Sequence, residues 1–363
     1  MVFGYIYRSR TCVISPGGKM HLNDVRGVLA LGVALCGGTT LMVAQGQVNA
    51  AAQVHIEAAR KAAGTEHKGV FDVTCGYLTP ASRPAPTAPA VPRTPGPPAR
   101  ETWFTEPAKV FDNLYFLGQS EYSSWAVATS QGLIVIDAIF DYSIEDEVVG
   151  GMKKLGLDPA QIKYVIVSHG HGDHSGGAKY LQDKFGAHII LSAADWDLLD
   201  KTRNSPNAQP APKRDMVATD GMKLTLGDTT LTLYITPGHT LGTISTLIPV
   251  KDHGQAHLAA AWGGTAFNWV RGPASYITPD RPAKFWFETY DKSAERFRDI
   301  ASKAGADIII ANHTNFDGTK TKIPALAQRT ANQKNPYVIG KEGVLQYMTT
   351  VDECAKAGAA MQN

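Results

Sequence analysis

The chain has almost no charge imbalance: 35 lysines and arginines stand against 33 aspartates and glutamates in 363 residues, a formal net charge of +2. A protein that grips nucleic acid shows a basic face, and none stands out here, so the composition gives no case for such a partner. Cysteine is scarce. Cys12, Cys36, Cys75 and Cys354 occur, none in a C-x-x-C pattern, which argues against a cysteine zinc site. No tandem repeat is visible. Long apolar runs are also rare, and the exception is Gly27 to Ala44, uncharged, preceded by Arg26 and followed by small residues around Val48-Asn49-Ala50. That is the layout of a secretory signal, with Met20 as a plausible start. Gly37, Gly38, Thr39 and Thr40 inside the run weaken the alternative of a membrane anchor, and Leu35 before Cys36 is a poor lipid-attachment context.

The expectation is therefore a periplasmic or secreted protein that meets the membrane only through its export signal. Removing the signal takes away Cys12 and Cys36. In an oxidising compartment, the remaining Cys75 and Cys354 suggest a disulfide tying an N-terminal arm to the C-terminal helix, with two unrelated buried thiols as the alternative.

What is present is a globular composition, 44% apolar and 19% charged, able to bury a sizeable core. Residues 1–50 read as signal and upstream extension. Residues 51–102 read as an arm, with a short helix from Ala51 to Gly64 and a proline- and alanine-rich linker from Pro80 to Pro98. Residues 103–363 read as the folded domain. Strands are expected at Val110–Leu117, Trp125–Thr129, Leu133–Asp137, Tyr164–Val167 and His188–Leu191. A hairpin joins Met222–Leu226 to Thr230–Thr236, and Ile244–Val250, His257–Trp262 and Asp307–Ile310 complete the set. Helical spacing marks Ile144–Leu155, Gly177–Phe185, Ala194–Asp200, Lys284–Ala304 and much of Tyr337–Met361, while Asn204–Arg214 reads as a loop. Strand runs separated by single helices, in two halves, suggest an α/β sandwich with helices outside.

The most informative stretch is Ser168-His169-Gly170-His171-Gly172-Asp173-His174-Ser175-Gly176-Gly177, leaving the buried strand Tyr164–Val167. His169, His171 and Asp173 alternate, so an extended backbone points them one way, and His174 turns off that line. Imidazole and carboxylate are zinc-type ligands. His239, displayed by Thr236-Pro237-Gly238, and His313, after Ile308–Ala311, sit at strand ends where they can join them. His21, His55, His67, His188, His253 and His257 read as non-ligands. Asp137 reads as a structural capping carboxylate, with orientation of a ligand histidine as its alternative role.

The pattern H-x-H-x-D-H after a hydrophobic strand resembles the metallo-β-lactamase superfamily, over roughly Val110 to Thr314. The resemblance implies the four-layer αβ/βα sandwich and two zinc ions. His169, His171 and His239 would hold the first, and Asp173, His174 and His313 the second. A shared hydroxide, formed as the metals lower a water's pKa from ~15.7 towards ~7, would attack a carbonyl. Asp173 would orient it and accept its proton, so Asp173 and His171 carry the catalytic expectation. Many members have an aspartate after the strand ending here at Trp262, and one β-lactamase subclass has a cysteine. This chain reads Ala261-Trp262-Gly263-Gly264-Thr265-Ala266-Phe267-Asn268, which with His174 is most like the third, dizinc subclass.

A serine usual in that subclass is missing, and Thr265 is the candidate replacement in substrate binding. Ser124 and Trp125, on an early loop, and Asn315 are further candidates, with Asn268, Trp269 and Tyr276 near the pocket wall. The implied function is an exported dizinc hydrolase opening a cyclic amide, a β-lactam first and a lactone or ester second, on a small-molecule substrate. An iron-dependent persulfide dioxygenase shares the motif but also uses the missing aspartate. A non-enzymatic zinc protein fits poorly, because structural zinc sites are closed. The oligomeric state does not follow from the sequence.

Overall fold

The computed structural model describes residues 48–78, 96–205, 208–330 and 332–362. The expected signal segment, Cys12, Cys36 and most of the proline-rich stretch lie outside them. Twelve strands form two sheets among the described residues. The first sheet runs in chain order: β1 (Ala108–Lys109), β2 (Leu114–Phe116), β3 (Trp125–Thr129), β4 (Gly132–Ile136), β5 (Ile162–Ile166), β6 (His188–Ser192) and β7 (Met216–Ala218). The second comprises β8 (Met222–Leu226), β9 (Thr229–Ile235), β10 (Ile244–Asp252), β11 (Gln255–Trp262) and β12 (Ile308–Ala311), adjacent in that order. β1 to β4 are antiparallel, whereas β4 to β7 are parallel, and β12 lies parallel to β11.

The helices are α1 (Ala50–Ala63), α2 (Lys68–Val73), α3 (Cys75–Leu78), α4 (Gly150–Lys154), α5 (Gly172–Ser175), α6 (Ala178–Phe185), α7 (Ala193–Thr202), α8 (Asn268–Arg271), α9 (Ala283–Ala304), α10 (Thr319–Ala327) and α11 (Gly340–Ala360).

Strand alternation separates the cores. Ile134 and Ile136 of β4 face the sandwich interior, where they meet Leu231, Leu233, Ile248 and Ile310 of the second sheet. Leu133 and Val135 face the opposite side, against Val148, Leu181 and Trp196 of the outer helices. Both faces of β4 are thus buried, which is why the strand reads as an unbroken apolar run. Beyond the second sheet, Trp262 and Ile309 pack with Phe297 of α9 and Met348 and Val351 of α11. The result is helix, sheet, sheet, helix: the four-layer αβ/βα arrangement. The arm belongs to the outermost layer. Ile56, Ala59 and Ala63 of α1 share the α11 core, and Cys75 is joined to Cys354 of α11 by a disulfide.

Four details differ from the sequence reading. Val110–Leu117 is not one strand, because Asp112-Asn113 make a turn in which the amides of Val110 and Phe111 both reach the Leu114 carbonyl; such side chains compete with the ladder for backbone groups. The helix expected from Ile144 begins as a π-helical turn, Glu145–Val149. β7 and α10 were not anticipated: β7 has three residues, too few to show a period of two, and α10 contains Pro324. The fourth concerns the histidine-rich stretch itself.

Candidate metal centre

The chain ends of β4, β5, β6, β9, β11 and β12 converge on one rim of the sandwich. Ligands of open α/β sheets gather outside the carboxyl ends of the strands. Past β5 the chain bends through residues 168–170 to His171, extended at φ −77°, ψ 150°, which caps α5. Asp173 and His174 therefore stand on a helical turn rather than continuing the extended line, so the alternation expected of His169, His171 and Asp173 stops at His171. The turn separates Asp173 and His174 from the first two histidines.

Buried carboxylates hold the loops in place. Asp137, just past β4, adopts a left-handed backbone (φ 62°), a conformation aspartate tolerates better than most residues. Its Oδ1 accepts the Ser168 amide at 2.6 Å, and its Oδ2 accepts the Ser168 hydroxyl at 2.9 Å and meets His174 Nδ1 at 3.0 Å. Asp195 on α7 accepts the Gly170 amide at 2.9 Å and the Thr240 hydroxyl at 2.8 Å, tying together the loops that carry His171 and His239.

Two groups of donor atoms result. His239 Nε2 lies 3.1 Å from His169 Nε2 and 3.1 Å from His171 Nδ1. Asp173 Oδ2 lies 3.2 Å from His174 Nε2 and 3.5 Å from His313 Nε2. Tetrahedral ligands at 2.0–2.1 Å from zinc stand roughly 3.3 Å from one another, and the first group has that compactness; on the other side the donor atoms that lie within 4.8 Å of one another are those of His169, Asp173 and His174, with His313 joined to them through Asp173. Behind the first group, His169 Nδ1 donates to the Gly263 carbonyl at 2.9 Å and His239 Nδ1 to the Ala266 carbonyl at 2.7 Å. His171 Nε2 meets the Tyr276 hydroxyl at 2.8 Å. The two carbonyls fix the tautomers of His169 and His239 that leave a lone pair facing inwards, and the Tyr276 hydroxyl suits the same arrangement in His171.

Electrostatics divide the groups. Burial holds His169 and His239 well below the usual histidine range and brings His171 down to about 4. Burial also favours a neutral His174, but Asp173 and Asp137 on either side outweigh it and raise that ring to about 10. Burial pushes the Asp173 carboxyl up, yet His174 and His313 together hold it well below its ordinary value. His174 Nε2 is fully buried and faces only the Asp173 carboxylate, 3.2 Å away, so the two atoms are placed to share one ion.

A sequence model of the metallo-β-lactamase superfamily matches residues 117–253. The N-acyl homoserine lactonase AttM of Agrobacterium fabrum is 33% identical over 187 residues, 48% of this chain and 67% of that protein. The chain belongs to the metallo-β-lactamase superfamily. The hydroxyacylglutathione hydrolase of Acidiphilium cryptum is 33% identical over 119 residues, and the chain spans only 41% of its length. Among solved structures, the subclass B3 metallo-β-lactamase BJP-1 of Bradyrhizobium japonicum superimposes with a TM-score of 0.59 at 27% identity, covering 69% of this chain and 91% of that one.

Within the superfamily fold, the substrate-facing candidates fare unevenly. The structure brings His169, His171, Asp173, His174, His239 and His313 to one place, but Ser124, Trp125 and Thr265 are buried with no surface to offer. Ser124 donates to the Asp137 carbonyl at 2.7 Å. Trp125 packs edge-on against Phe116 in the sandwich core, and Thr265 is 1% exposed. Asn315 is exposed but bonds Glu121, and Trp269 is core. Tyr276 and Asn268 do reach the site, the Asn268 amide lying 3.3 Å from the tyrosine oxygen and 3.4 Å from His239 Nε2.

The missing carboxylate after β11 has a steric basis. A Cβ on Gly264 would fall 2.5 Å from His239 Cβ, and one on Gly263 would fall 1.8 Å from the Ile244 carbonyl oxygen. No side chain fits there. The roles of Asp195 and Asn312, whose amide supports the Gly263 carbonyl at 2.9 Å, had no sequence signal, because each acts across more than 20 residues. A second acidic cluster, Asp291, Glu295 and Asp352, already has its cation in Lys356, 2.8 Å from Glu295 and 3.1 Å from Asp352.

Proposed function

We propose that this protein is an exported zinc hydrolase that opens a cyclic amide, a β-lactam foremost, at a two-metal centre. The observation that carries the reading is the pair of facing donor groups, three imidazoles and an Asp-His-His set, with the glycines Gly263 and Gly264 where a further carboxylate would otherwise intrude. His169, His171 and His239 hold one ion; Asp173, His174 and His313 hold the other. Zinc bound there supplies a hydroxide nucleophile at neutral pH and Lewis acidity towards a carbonyl.

The chain's own groups do the rest. Asp173, kept ionised by its histidine neighbours, would accept a hydrogen bond from the attacking oxygen and relay its proton to the leaving nitrogen. The Tyr276 oxygen accepts from His171 Nε2 and Asn268 Nδ2, which leaves its own O–H free to donate to a substrate oxygen in the cleft. The likeness to a subclass B3 enzyme across 91% of its length favours the β-lactam. The 33% identity to a lactonase supports a second reading, a lactone substrate on the same machinery. Export accords with the disulfide, since such bridges persist in oxidising compartments.

The deciding experiment is hydrolysis of a chromogenic cephalosporin by the zinc-loaded protein, with a chelator control. Chelator-sensitive turnover is expected. Two bound zincs without turnover would discard the β-lactam and move the assay to lactones and esters.

A further inference from the structure

His313 is held differently from the other four histidines of the site. Among the described residues, its Nδ1 makes no hydrogen bond to fix the ring. A bridge to Tyr122 holds its backbone, and packing sets its ring. Tyr122 meets one side, ring centres 4.9 Å apart, and Phe316 stacks on the ring at 4.6 Å and 21°. Phe316 in turn packs on Val73 and Tyr77 of the N-terminal arm, together with Ala266 and Ala311.

The arm touches the His313 loop at a second point without any slack. A Cβ on Gly69 of α2 would lie 1.8 Å from the Asn315 carbonyl oxygen, so α2 can approach only because residue 69 lacks a side chain. Lys322 supplies a third contact, donating to the Asp317 carbonyl at 2.6 Å while lying 3.6 Å from Glu66 just before α2. Asp317 closes the loop on itself by accepting the Ala311 and Thr319 amides. Tyr77 also carries the Arg271 guanidinium, 4.6 Å from its ring centre, at the end of the α8 wall. Two residues before Tyr77, Cys75 is bonded to Cys354, which fastens the arm where it meets the loop.

We propose that the N-terminal arm, clamped by Cys75–Cys354, is a positioning element of the Asp173/His174/His313 group. It sets where His313 stands by pressing Phe316 and the Asn315 carbonyl into place. The three-histidine group leans on it less: His169, His171 and His239 each have an outer hydrogen bond of their own, and the arm reaches that group only through Ala266, whose carbonyl holds His239. The inference rests on the two-metal reading above, and its test separates the two.

Wild type, Gly69→Ala and Cys75→Ser/Cys354→Ser are titrated with zinc by calorimetry, and their cobalt(II) spectra are recorded. Hydrogen exchange of residues 311–319 and 165–176 is followed on the same samples. Alanine normally strengthens a helix relative to glycine, so any loss in Gly69→Ala reports the pressure on the loop. The expected result is one site weakened about tenfold or more, the size of effect outer-shell changes have on metal affinity, with the other unchanged. Exchange should accelerate in 311–319 only. Phe316→Leu serves where either variant fails to fold, with the same expectation. Equal loss at both sites, or unchanged affinity and exchange in a folded variant, overturns the proposal. If wild type takes up fewer than two zincs, the two-metal reading fails, and the exchange data alone decide whether the arm holds the loop.

Discussion

The histidines in the two halves of the site are supported by different chemistry. The outer nitrogens of His169 and His239 rest on backbone carbonyls and that of His171 on a phenol oxygen. All three partners accept from a neutral ring without adding a full charge. His174 lies instead between two carboxylates, Asp137 behind and Asp173 in front. A neutral cradle keeps imidazoles ready for a metal, whereas an anionic one competes with the metal by holding a proton. On the two-metal reading the first half would be preorganised, and the second would have to exchange a proton for its ion.

The largest consequence is an asymmetry of ligand removal. His239→Ala leaves His169 and His171 without their third partner, and both zinc at that group and turnover should fall below detection. His313→Ala should leave one zinc bound. Metal content measured beside hydrolysis reads the difference; two zincs retained in His239→Ala would show that the groups are not those drawn here.

Next is pH. Metal ligands must be deprotonated. The His174 ring, raised to about 10 in the metal-free protein, is protonated at pH 7, so loading its group expels that proton. Affinity there should climb about tenfold per pH unit between pH 6 and 8. The first group, with His171 brought down to about 4, is already neutral over that range and should be nearly flat. Calorimetry in buffers of different ionisation enthalpy counts the protons; release on loading both groups, or neither, contradicts the contrast.

Asp137 is the lever for that difference. Asp137→Ala removes the carboxylate behind His174 and the acceptor of two Ser168 hydrogen bonds. Zinc at the second group should weaken about 10- to 100-fold, and its pH dependence should become shallower because the proton loses a partner. A loss confined to the three-histidine group would reverse the assignment.

Much of this was readable in the sequence, and the boundary has a physical cause. The apolar runs at Ile134–Ile136 and Ile308–Ile310 announce buried strands because both of their faces meet a core, and the six metal-type residues announce themselves because such side chains at strand ends have few other uses. The partners of those residues gave no such sign. Ser124 and Thr265 are polar, stand where the family resemblance places substrate contacts, and are easily taken as such, yet both are buried in the scaffold. Asp195 looks like any first-turn helix acid until the fold brings Gly170 and Thr240 to it. Even the α5 turn was hidden, since H-G-D-H has weak helix propensity and only tertiary contacts wind it. Local chemistry shows in a local pattern, whereas support from distant residues appears only once the chain has folded.

The finest distinction falls on Tyr276. Its hydroxyl meets His171 Nε2 at 2.8 Å, and with Ser168 Oγ, 3.1 Å from His169 Nδ1, it is one of two side-chain oxygens at the outer nitrogens of the first group. Tyr276→Phe keeps the ring, which packs edge-on against Trp286, and deletes that acceptor. A single hydrogen bond is worth about 0.5–1.5 kcal/mol net, so zinc affinity at the first group should fall roughly three- to tenfold. The second group, with no contact to this oxygen, should be unmoved. Hydrolysis should fall further than metal affinity predicts if the same O–H donates to the substrate, and that excess should persist when zinc is saturating. An affinity loss with no residual kcat effect would leave Tyr276 as a holder of His171 alone, and the neutral cradle would then be a purely structural device.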